Sequence, residues 1–271
     1  MIDNDIGALT PLFKGVTMKI LSVANQKGGA AKTTTAAHVA WAAQEKGLRV
    51  LVVDLDKQGN MSYLFKGDDA PVNNLKASQL FFRARENMHP QVCGDFGVIG
   101  ADFEGLERVE STADIHLKQF YANLQAFSND YDLCVIDTPP SLGKILRSAI
   151  IASDYVLTPF QIGVFEMAGA SQLLGTMNSI RSSGQNPKLK HLGILPSKIK
   201  TNSPQELESL AQLQKKYGKV VFSMSLAERS AVKQAVASKA PVWQGAKGES
   251  HRLARDEWRA AMAEVLKRMD M

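Results

Sequence analysis

Lysine, glycine and threonine residues are concentrated in one short segment, between a predicted strand and a predicted helix. The segment consists of Lys27, Gly28, Gly29, Ala30, Ala31, Lys32, Thr33 and Thr34. A glycine-containing loop that opens a helix directs backbone N–H groups at phosphate oxygens, and the positive end of the helix dipole adds to the attraction. Lys32 at the helix start reaches the β- and γ-phosphates, and the hydroxyl of Thr33 is placed to bind Mg²⁺. The segment therefore predicts a nucleoside triphosphate site.

Carboxylates stand at the ends of two further predicted strands. Asp54 ends the apolar run 49–54, Asp56 follows it, and Asp137 ends the run 133–137. Open α/β sheets bind ligands in the crevice at the carboxyl ends of their strands. A carboxylate that leaves a strand there approaches Mg²⁺, usually through water. Helix N-capping is the alternative role for such residues.

The elements that position these residues follow from the alternation of apolar runs and helical patterns. The apolar, β-prone runs are residues 18–24, 49–54, 133–137, 155–159 and 192–195. The helical patterns are residues 33–46, 112–127, 142–152, 166–181 and 204–217. Such alternation predicts an α/β fold with a doubly wound, mostly parallel sheet flanked by helices.

The chain shows no internal repeat and no long linker. Residues 1–17 are predicted to form a flexible N-terminal tail, and residues 18–271 a single domain. Residues 67–110 are the least regular part, with a weak strand signal at 96–99. We interpret this part as helix and loop insertions on the same domain.

The phosphate-binding segment departs from the usual P-loop pattern, G-x-x-x-x-G-K-[ST], because Gln26 and Ala31 occupy the two glycine positions. It matches K-G-G-x-x-K-[ST], the deviant Walker A signature, and thereby resembles the ParA-type partition ATPases. Two further segments support the resemblance. Residues 54–60 are similar to the family's D-x-D-P-Q-G-N, with Lys57 in place of proline, and residues 132–140 resemble its Walker B run.

The resemblance implies roles that the residues alone do not establish. ATP and Mg²⁺ are the implied cofactors, and Lys27 is implied to cross a dimer interface and contact the nucleotide of the other subunit. Asp56 is implied to position the attacking water, Asp54 to lie near the metal's outer shell, and Asp137 to bind the metal through water. The loop at 159–169 is implied to join the dimer interface, and residues 196–198 to lie near adenine. Catalysis is thus assigned to Lys27, Lys32 and Asp56.

Basic residues are unevenly distributed along the chain. The net charge is +5, but residues 181–271 carry 17 Lys and Arg against 8 Asp and Glu. A basic region of this kind favours a polyanionic partner. By resemblance, that partner is non-specific DNA, bound by the ATP-bridged homodimer. The candidate DNA-binding residues are Arg229, Lys233, Arg252, Arg255 and Arg259. Pairing with nearby carboxylates such as Asp256 and Glu257 is the alternative.

The expected function is DNA partition with a ParB-type activator, in the cytoplasm and associated with the nucleoid. No arginine stands in the segments 27–34, 54–60 and 132–140, so we expect slow basal hydrolysis that a partner stimulates. Since residues 1–17 are too few for a helix-turn-helix extension, operator binding is not expected.

Four alternatives stay open. The first is a ParA-like ATPase that positions a non-DNA cargo, such as a chemoreceptor cluster or a microcompartment. A MinD-like membrane ATPase would use the apolar stripe of the last helix, although such stripes usually pack on the core and no membrane partner is expected. The stripe consists of Trp258, Met262, Val265, Leu266 and Met269. A reductase related to the nitrogenase iron protein would need cluster-binding cysteines, and a synthetase or small-molecule kinase could share the scaffold.

Overall fold

The computed structural model describes residues 18–66, 74–82, 89–112, 117–162, 166–245 and 247–271. The strands are β1 Lys19–Val23, β2 Val50–Asp54, β3 Gln91–Cys93, β4 Phe96–Ile99, β5 Leu133–Asp137, β6 Tyr155–Phe160, β7 Lys190–Ile199 and β8 Leu226–Ala227. They form one eight-stranded sheet in the order β3-β4-β2-β5-β1-β6-β7-β8. Among these described strands, only β3 and β4 pair antiparallel. The predicted doubly wound, mostly parallel sheet is confirmed, whereas the predicted tail at 1–17 lies outside the described residues.

Helices cover the sheet. They are α1 Lys32–Glu45, α2 Asn60–Phe65, α3 Phe103–Ser111, α4 Leu117–Gln125, α5 Lys144–Ala152, α6 Glu166–Ser182, α7 Pro204–Tyr217, α8 Ser230–Ala237 and α9 Gly248–Arg268. Two short 3-10 helices occupy Ala77–Phe81 and Gly218–Val220. Gly47 follows α1 with φ 81°, as expected of glycine after a helix C-terminus.

The central strands are mostly apolar because both of their faces are covered. Val50 and Val52 of β2 pack in the cluster that contains α1 and α9, whereas Leu51 and Val53 pack in the cluster on the opposite face. Successive side chains of a strand point to opposite faces, so an uninterrupted apolar run is what a doubly covered strand needs. The burial pattern therefore accounts for the composition that predicted these strands.

Strand register brings the ends of β1, β2 and β5 together. Asp137 at the end of β5 pairs with Asp54 at the end of β2 and with Val23 at the end of β1. The loop before α1 starts from the same edge of the sheet. Parallel pairing thus places the phosphate-binding segment and both carboxylate segments in one crevice.

Some predicted bounds were wrong. The helix predicted at 112–127 is described as α4, Leu117–Gln125, and a separate helix, α3, lies in the part interpreted as helix and loop insertions. Residues 96–99 do form a strand, and an unpredicted strand, β3, pairs with it at the sheet edge. The strand predicted at 192–195 extends over Lys190–Ile199. A short turn or a switch in helix direction leaves little trace in local apolar periodicity.

The apolar stripe of α9 packs on the core. Each of its five members is at most 3% exposed. The members are Trp258, Met262, Val265, Leu266 and Met269. In the parts of the chain that the structure describes, no helix is both long and apolar enough to cross a bilayer.

His38 joins α1 to the C-terminal part of the chain. Its Nδ1 donates to the carbonyl of Thr34 at 2.7 Å, and its Nε2 accepts the N–H of Val242 at 3.1 Å. The ring also lies 4.1 Å from that of Trp258, between centroids. Burial lowers the pKa of His38 from 6.5 to about 4. The imidazole is therefore neutral near pH 7 and serves as a packed, doubly bonded link.

We expect the stability difference between the parent protein and His38→Gln to shrink as the pH falls from 7 to about 4.5. Between pH 6.5 and about 4, the unfolded chain binds a proton at His38 that the folded chain excludes. Stability is therefore lost as the pH falls through this range, up to about 3 kcal/mol from this one group. Urea unfolding at several pH values measures the free energy of unfolding of both proteins. The contributions of other titrating groups are nearly the same in the two proteins and largely cancel in the difference. A difference that stays constant over this range would contradict the assignment.

Candidate functional site

The phosphate-binding loop is held at both ends by hydrogen bonds. Asn25 accepts the N–H of Lys27 at 3.0 Å with its Oδ1, and its Nδ2 donates to the carbonyl of Pro159 at 2.6 Å. Lys32 Nζ donates to the carbonyl of Lys27 at 3.1 Å. Asn25 is buried, whereas Lys27 lies on the exposed part of the loop. The loop is thus anchored to the end of β6 while Lys27 stands at its rim.

Backbone conformation explains part of the loop sequence. Gly29 has φ 77°, in the left-handed region that glycine adopts without strain. Ala31 also has a left-handed conformation, with φ 65° and ψ 24°, at a cost of about 1–2 kcal/mol for a residue with a Cβ. No described atom lies within 4 Å of a Cβ built at Gly28 or Gly29. The loop keeps a glycine-like turn despite Ala31 and leaves room for an anion.

Thr33 and Asp137 meet as the sequence predicts. Thr33 Oγ1 donates to Asp137 Oδ2 at 2.6 Å, across a separation of 104 residues. The other carboxylate oxygen, Asp137 Oδ1, is buried and has no hydrogen-bond partner among the described residues. Mg²⁺ prefers oxygen ligands, and this site offers two: a hydroxyl and a buried carboxylate that has one oxygen without a hydrogen bond. These two residues fit the metal.

Electrostatics at the site favour a cation. Burial raises the pKa of Asp137 well above its usual range, and the nearby Asp54 raises it further. Burial lowers the pKa of Lys32, although Asp137 and Asp56 act in the opposite direction. Among the described residues, no group of three or more His, Cys, Asp or Glu could hold a metal ion. Nucleotide phosphates and water can supply the oxygen ligands that Thr33 and Asp137 leave open.

Asp54 organises the loop that carries Asp56. Asp54 Oδ1 accepts the N–H of Asp56 at 3.1 Å, and its Oδ2 accepts both the N–H and the hydroxyl of Ser62 at 2.7 Å. Burial raises the pKa of Asp54 to about 6, against the effect of the Ser62 hydrogen bonds. Asp54 pairs with Asp137 across the sheet, but its oxygens accept hydrogen bonds from its own loop. A role in the metal's outer shell stays a prediction.

Asp56 stands at the turn of this loop and is partly exposed. Its Oδ1 accepts the N–H of Gln58 at 3.1 Å. The next residue, Lys57, pairs through Nζ with Glu107 of α3 at 2.6 Å and lies over the ring of Phe103. The lysine that replaces the family's proline thus ties the loop to α3.

A cavity of about 260 Å³ opens beside the phosphate-binding loop. Ala31 and Thr34 line it from the loop side, and Ser197 and Lys198 line it from the end of β7. Residues 196–198 were predicted to lie near adenine, and two of them border this cavity. The remaining wall is largely apolar and comes from the segment 226–236 and from Trp258. A flat, apolar group attached to a phosphate chain fits this position.

Arg229 differs from the expectation. This candidate DNA-binding residue directly precedes α8, whereas Lys233 lies within the helix. Its guanidinium binds Glu257 of α9, with Nη2 2.5 Å from Oε1, and the side chain is only 17% exposed. This pair raises the pKa of Arg229. Arg229 therefore connects α8 to α9 and presents little charge to solvent.

The other four basic candidates are more accessible. Lys233 is 72% exposed and pairs loosely with Glu228, at 3.3 Å. Arg255 pairs with Asp256 at 2.8 Å, and Arg252 is exposed. Arg259 pairs with Glu45 of α1 at 3.3 Å and lies over the ring of Trp243. Exposed pairs of this kind are weak and exchange readily for phosphate contacts.

Three residues of the site were missed by sequence reasoning. Asn25 directly precedes the segment 26–34, and a polar residue at the buried end of a strand was an available signal. Ser62 lies inside α2 and shows its role only through its contact with Asp54. Trp258 was assigned to the apolar stripe, and nothing in its spacing indicates that it borders the cavity.

The fold and the site together define a P-loop ATPase with a deviant Walker A loop. A family model described as an AAA domain, AAA_31, matches residues 18–191. Protein IncC of Escherichia coli is 36% identical over 266 residues, which cover 94% of this chain and 71% of that protein. The chromosome-partitioning ATPase Soj of Thermus thermophilus is 32% identical over 83% of this chain and 90% of its own length. The chain belongs to the ParA-type partition ATPase family.

A solved structure supports the assignment of the cofactors. A cobyrinic acid a,c-diamide synthase from Mycobacterium smegmatis, with bound ADP and magnesium, is 25% identical, with a TM-score of 0.75. The match covers 93% of this chain and 96% of the synthase. ATP and Mg²⁺ are the cofactors of this chain, and nucleotide hydrolysis is its activity. Lys32, Thr33 and Asp137 are the residues whose geometry fits them.

Proposed function

We propose that this chain drives DNA partition as an ATPase that dimerises around ATP and then binds DNA without sequence preference. A ParB-type protein stimulates hydrolysis and thereby releases the DNA. The proposal rests on family membership and on one structural observation, namely that two of the five basic candidates border the cavity beside the phosphate-binding loop. Lys233 and Arg229 border the same cavity as Ala31 and Thr34 of the phosphate-binding loop.

The contacts between the nucleotide helix and the basic region support coupling between ATP and DNA. Glu45, in the last turn of α1, accepts hydrogen bonds from Trp243 Nε1 at 2.6 Å and from Arg259 Nη1 at 3.3 Å. His38 of the same helix binds the N–H of Val242. A change in the position of α1 on ATP binding is therefore transmitted to residues that contact DNA in the proposal.

Slow intrinsic turnover agrees with the composition of the site. Lys32 supplies positive charge and Asp56 is proposed to orient the attacking water, but no arginine stands in the three site segments. In other nucleotide hydrolases, an arginine supplied by a partner raises turnover by about 10³–10⁵-fold. A ParB-type activator and a location on the nucleoid complete the proposal.

The test is DNA retention with ATP, ADP or no nucleotide, at moderate salt, in the parent protein and in Lys27→Ala. We expect the parent to be retained with ATP only, and to be released as the salt concentration rises, because phosphate contacts are screened. Lys27→Ala should bind ATP within about threefold of the parent but lose dimerisation and DNA retention, since Lys27 is proposed to act across the dimer. With ATP, the amount of Lys27→Ala retained on DNA should be about tenfold or more lower than that of the parent.

Lys46→Ala is the matched control because Lys46 is an exposed lysine at the opposite end of α1. It should dimerise and bind DNA like the parent. Equal DNA retention in all three nucleotide conditions would contradict an ATP-gated DNA clamp. A parent protein that dimerises with ATP but never binds DNA would favour the positioning of a non-DNA cargo.

Membrane association receives no support from the described structure. A MinD-like mechanism would need the apolar stripe of α9 at the surface, and those side chains lie in the core.

A synthetase on the same scaffold would instead require a second substrate. Its signature would be ATP hydrolysis that depends on a small molecule and ignores DNA.

A further inference from the structure

The turn that carries Asp56 has a lysine at its first central position. The Asp56 carbonyl accepts the N–H of Gly59 at 2.8 Å, which closes a β-turn with Lys57 and Gln58 at its centre. Proline is favoured at the position of Lys57 in such a turn because its ring fixes φ at about −65°. Lysine leaves the backbone of the turn its freedom, so any further restraint comes from side-chain contacts.

Lys57 makes two such contacts, both with α3. Its Nζ lies 2.6 Å from Glu107 Oε2 and 5.2 Å from the centroid of the Phe103 ring. The Lys57 and Glu107 side chains are 44% and 57% exposed, and an exposed ion pair is weak by itself. The aromatic ring adds a second attraction to the same ammonium. Together the two contacts bias the position of a turn of only four residues.

The last turn of α3 is fixed to the start of α5, which follows the metal-binding end of β5. Glu110 Oε2 accepts the N–H of Lys144 at 2.8 Å, and its Oε1 accepts the N–H of Ile145 at 3.1 Å. These bonds satisfy N–H groups at the start of α5. A Cβ built at Gly143 would lie 2.3 Å from both Glu110 oxygens, so this close approach needs the glycine. α3 therefore holds a set position relative to the loop between β5 and α5.

We propose that Lys57 is a positioning residue for hydrolysis, because it joins the Asp56 turn to α3 and thereby fixes Asp56 relative to Asp137. The inference rests on the proposed role of Asp56 in orienting the attacking water. A small displacement of a water-orienting group lowers turnover, since the reacting atoms leave their alignment. ATP binding is not affected, because the phosphates are held by the separate segment 27–34.

Phosphate release over a range of ATP concentrations, without DNA, tests the inference. Lys57→Ala and Glu107→Ala should each lower kcat about fivefold and leave the KM for ATP within about twofold of the parent. The double variant should be no slower than the slower single variant, since both substitutions remove the same contact. Glu104→Ala is the matched control, because it removes another exposed carboxylate of α3. It should hydrolyse ATP like the parent.

Lys57→Pro separates restraint of the turn from the charge of the lysine. Proline suits the first central position of a β-turn, so Lys57→Pro should hydrolyse ATP at the parental rate. Adding Glu107→Ala should leave that rate unchanged, because the turn no longer depends on α3. A lysine that acted through its own charge on the nucleotide would not be replaced by proline. Thermal unfolding checks that each variant folds like the parent.

Parental turnover in Lys57→Ala would overturn the inference. So would a folded Lys57→Pro that is as slow as Lys57→Ala, or losses in Lys57→Ala and Glu107→Ala that multiply in the double variant. None of these outcomes touches the proposed function, which dimerisation and DNA retention test separately. A parent protein that hydrolyses ATP but never binds DNA would contradict that function and leave the role of Lys57 standing.

Discussion

Replacing Lys32 with alanine is expected to weaken ATP binding by about 100-fold or more and to abolish hydrolysis. The ammonium is buried beside Asp137 and Asp56, at the start of α1, where it reaches the β- and γ-phosphates. Charge-assisted hydrogen bonds to phosphate contribute about 1.5–3 kcal/mol each, and Lys32 is proposed to make such contacts to more than one phosphate. Isothermal titration with ATP and a phosphate-release assay measure the two effects.

The loss should not come from unfolding. Burial lowers the pKa of Lys32, so the folded chain gains little from holding this ammonium. We therefore expect the melting temperature of Lys32→Ala to be no lower than that of the parent. Lys46→Ala serves again as the control with unchanged ATP affinity. An ATP affinity within threefold of the parent would show that this lysine does not contact the phosphates.

Asp56→Asn is expected to reduce turnover by about 10²-fold or more while leaving ATP affinity within about threefold. A side chain that orients or deprotonates the attacking water contributes roughly 10²–10⁴-fold. Asparagine has the same shape and its oxygen still accepts the N–H of Gln58, so the loop should keep its conformation. Slow hydrolysis should prolong the ATP state and, on the proposed function, increase the time the protein stays on DNA. Single-turnover hydrolysis and DNA dissociation are the measurements.

Asp54→Asn separates positioning from catalysis. Both oxygens of Asp54 accept from N–H or O–H donors, so an amide NH₂ at this position must face a donor. The variant should lower the melting temperature as well as turnover, unlike Asp56→Asn. If Asp56→Asn hydrolyses ATP at the parental rate, the water is oriented by a different residue.

Most of the nucleotide site was predictable because its chemistry is local. The segment 27–34 lies between a strand and a helix, and any such loop directs its N–H groups at an anion. Asp54 and Asp137 end apolar strands, and parallel strands place their ends at one edge. The segment 27–34 and the end of β5 therefore lie at the same edge of the sheet, and Thr33 contacts Asp137 there.

The basic region was less predictable. Its charge excess is a property of composition, but whether each arginine is exposed or paired depends on the residue packed against it. Arg229 is bonded to Glu257, which is 28 residues away, and its side chain is mostly buried. Lys233 lies four residues further along and is largely exposed. Spacing along α8 contains no information about a carboxylate on α9.

The amino-acid sequence by itself determined the family, the order of the central strands along the chain and the residues predicted to hold phosphate and metal. These depend on residue type and on neighbours a few positions away, where backbone geometry dictates the outcome. Only the tertiary structure decided that Asp54 organises the loop of Asp56, that His38 links α1 to Val242 and that Trp258 borders a cavity. Such contacts join distant residues, and hydrogen bonds require placement within a few tenths of an ångström. Local patterns of apolar and polar residues do not specify positions to that accuracy.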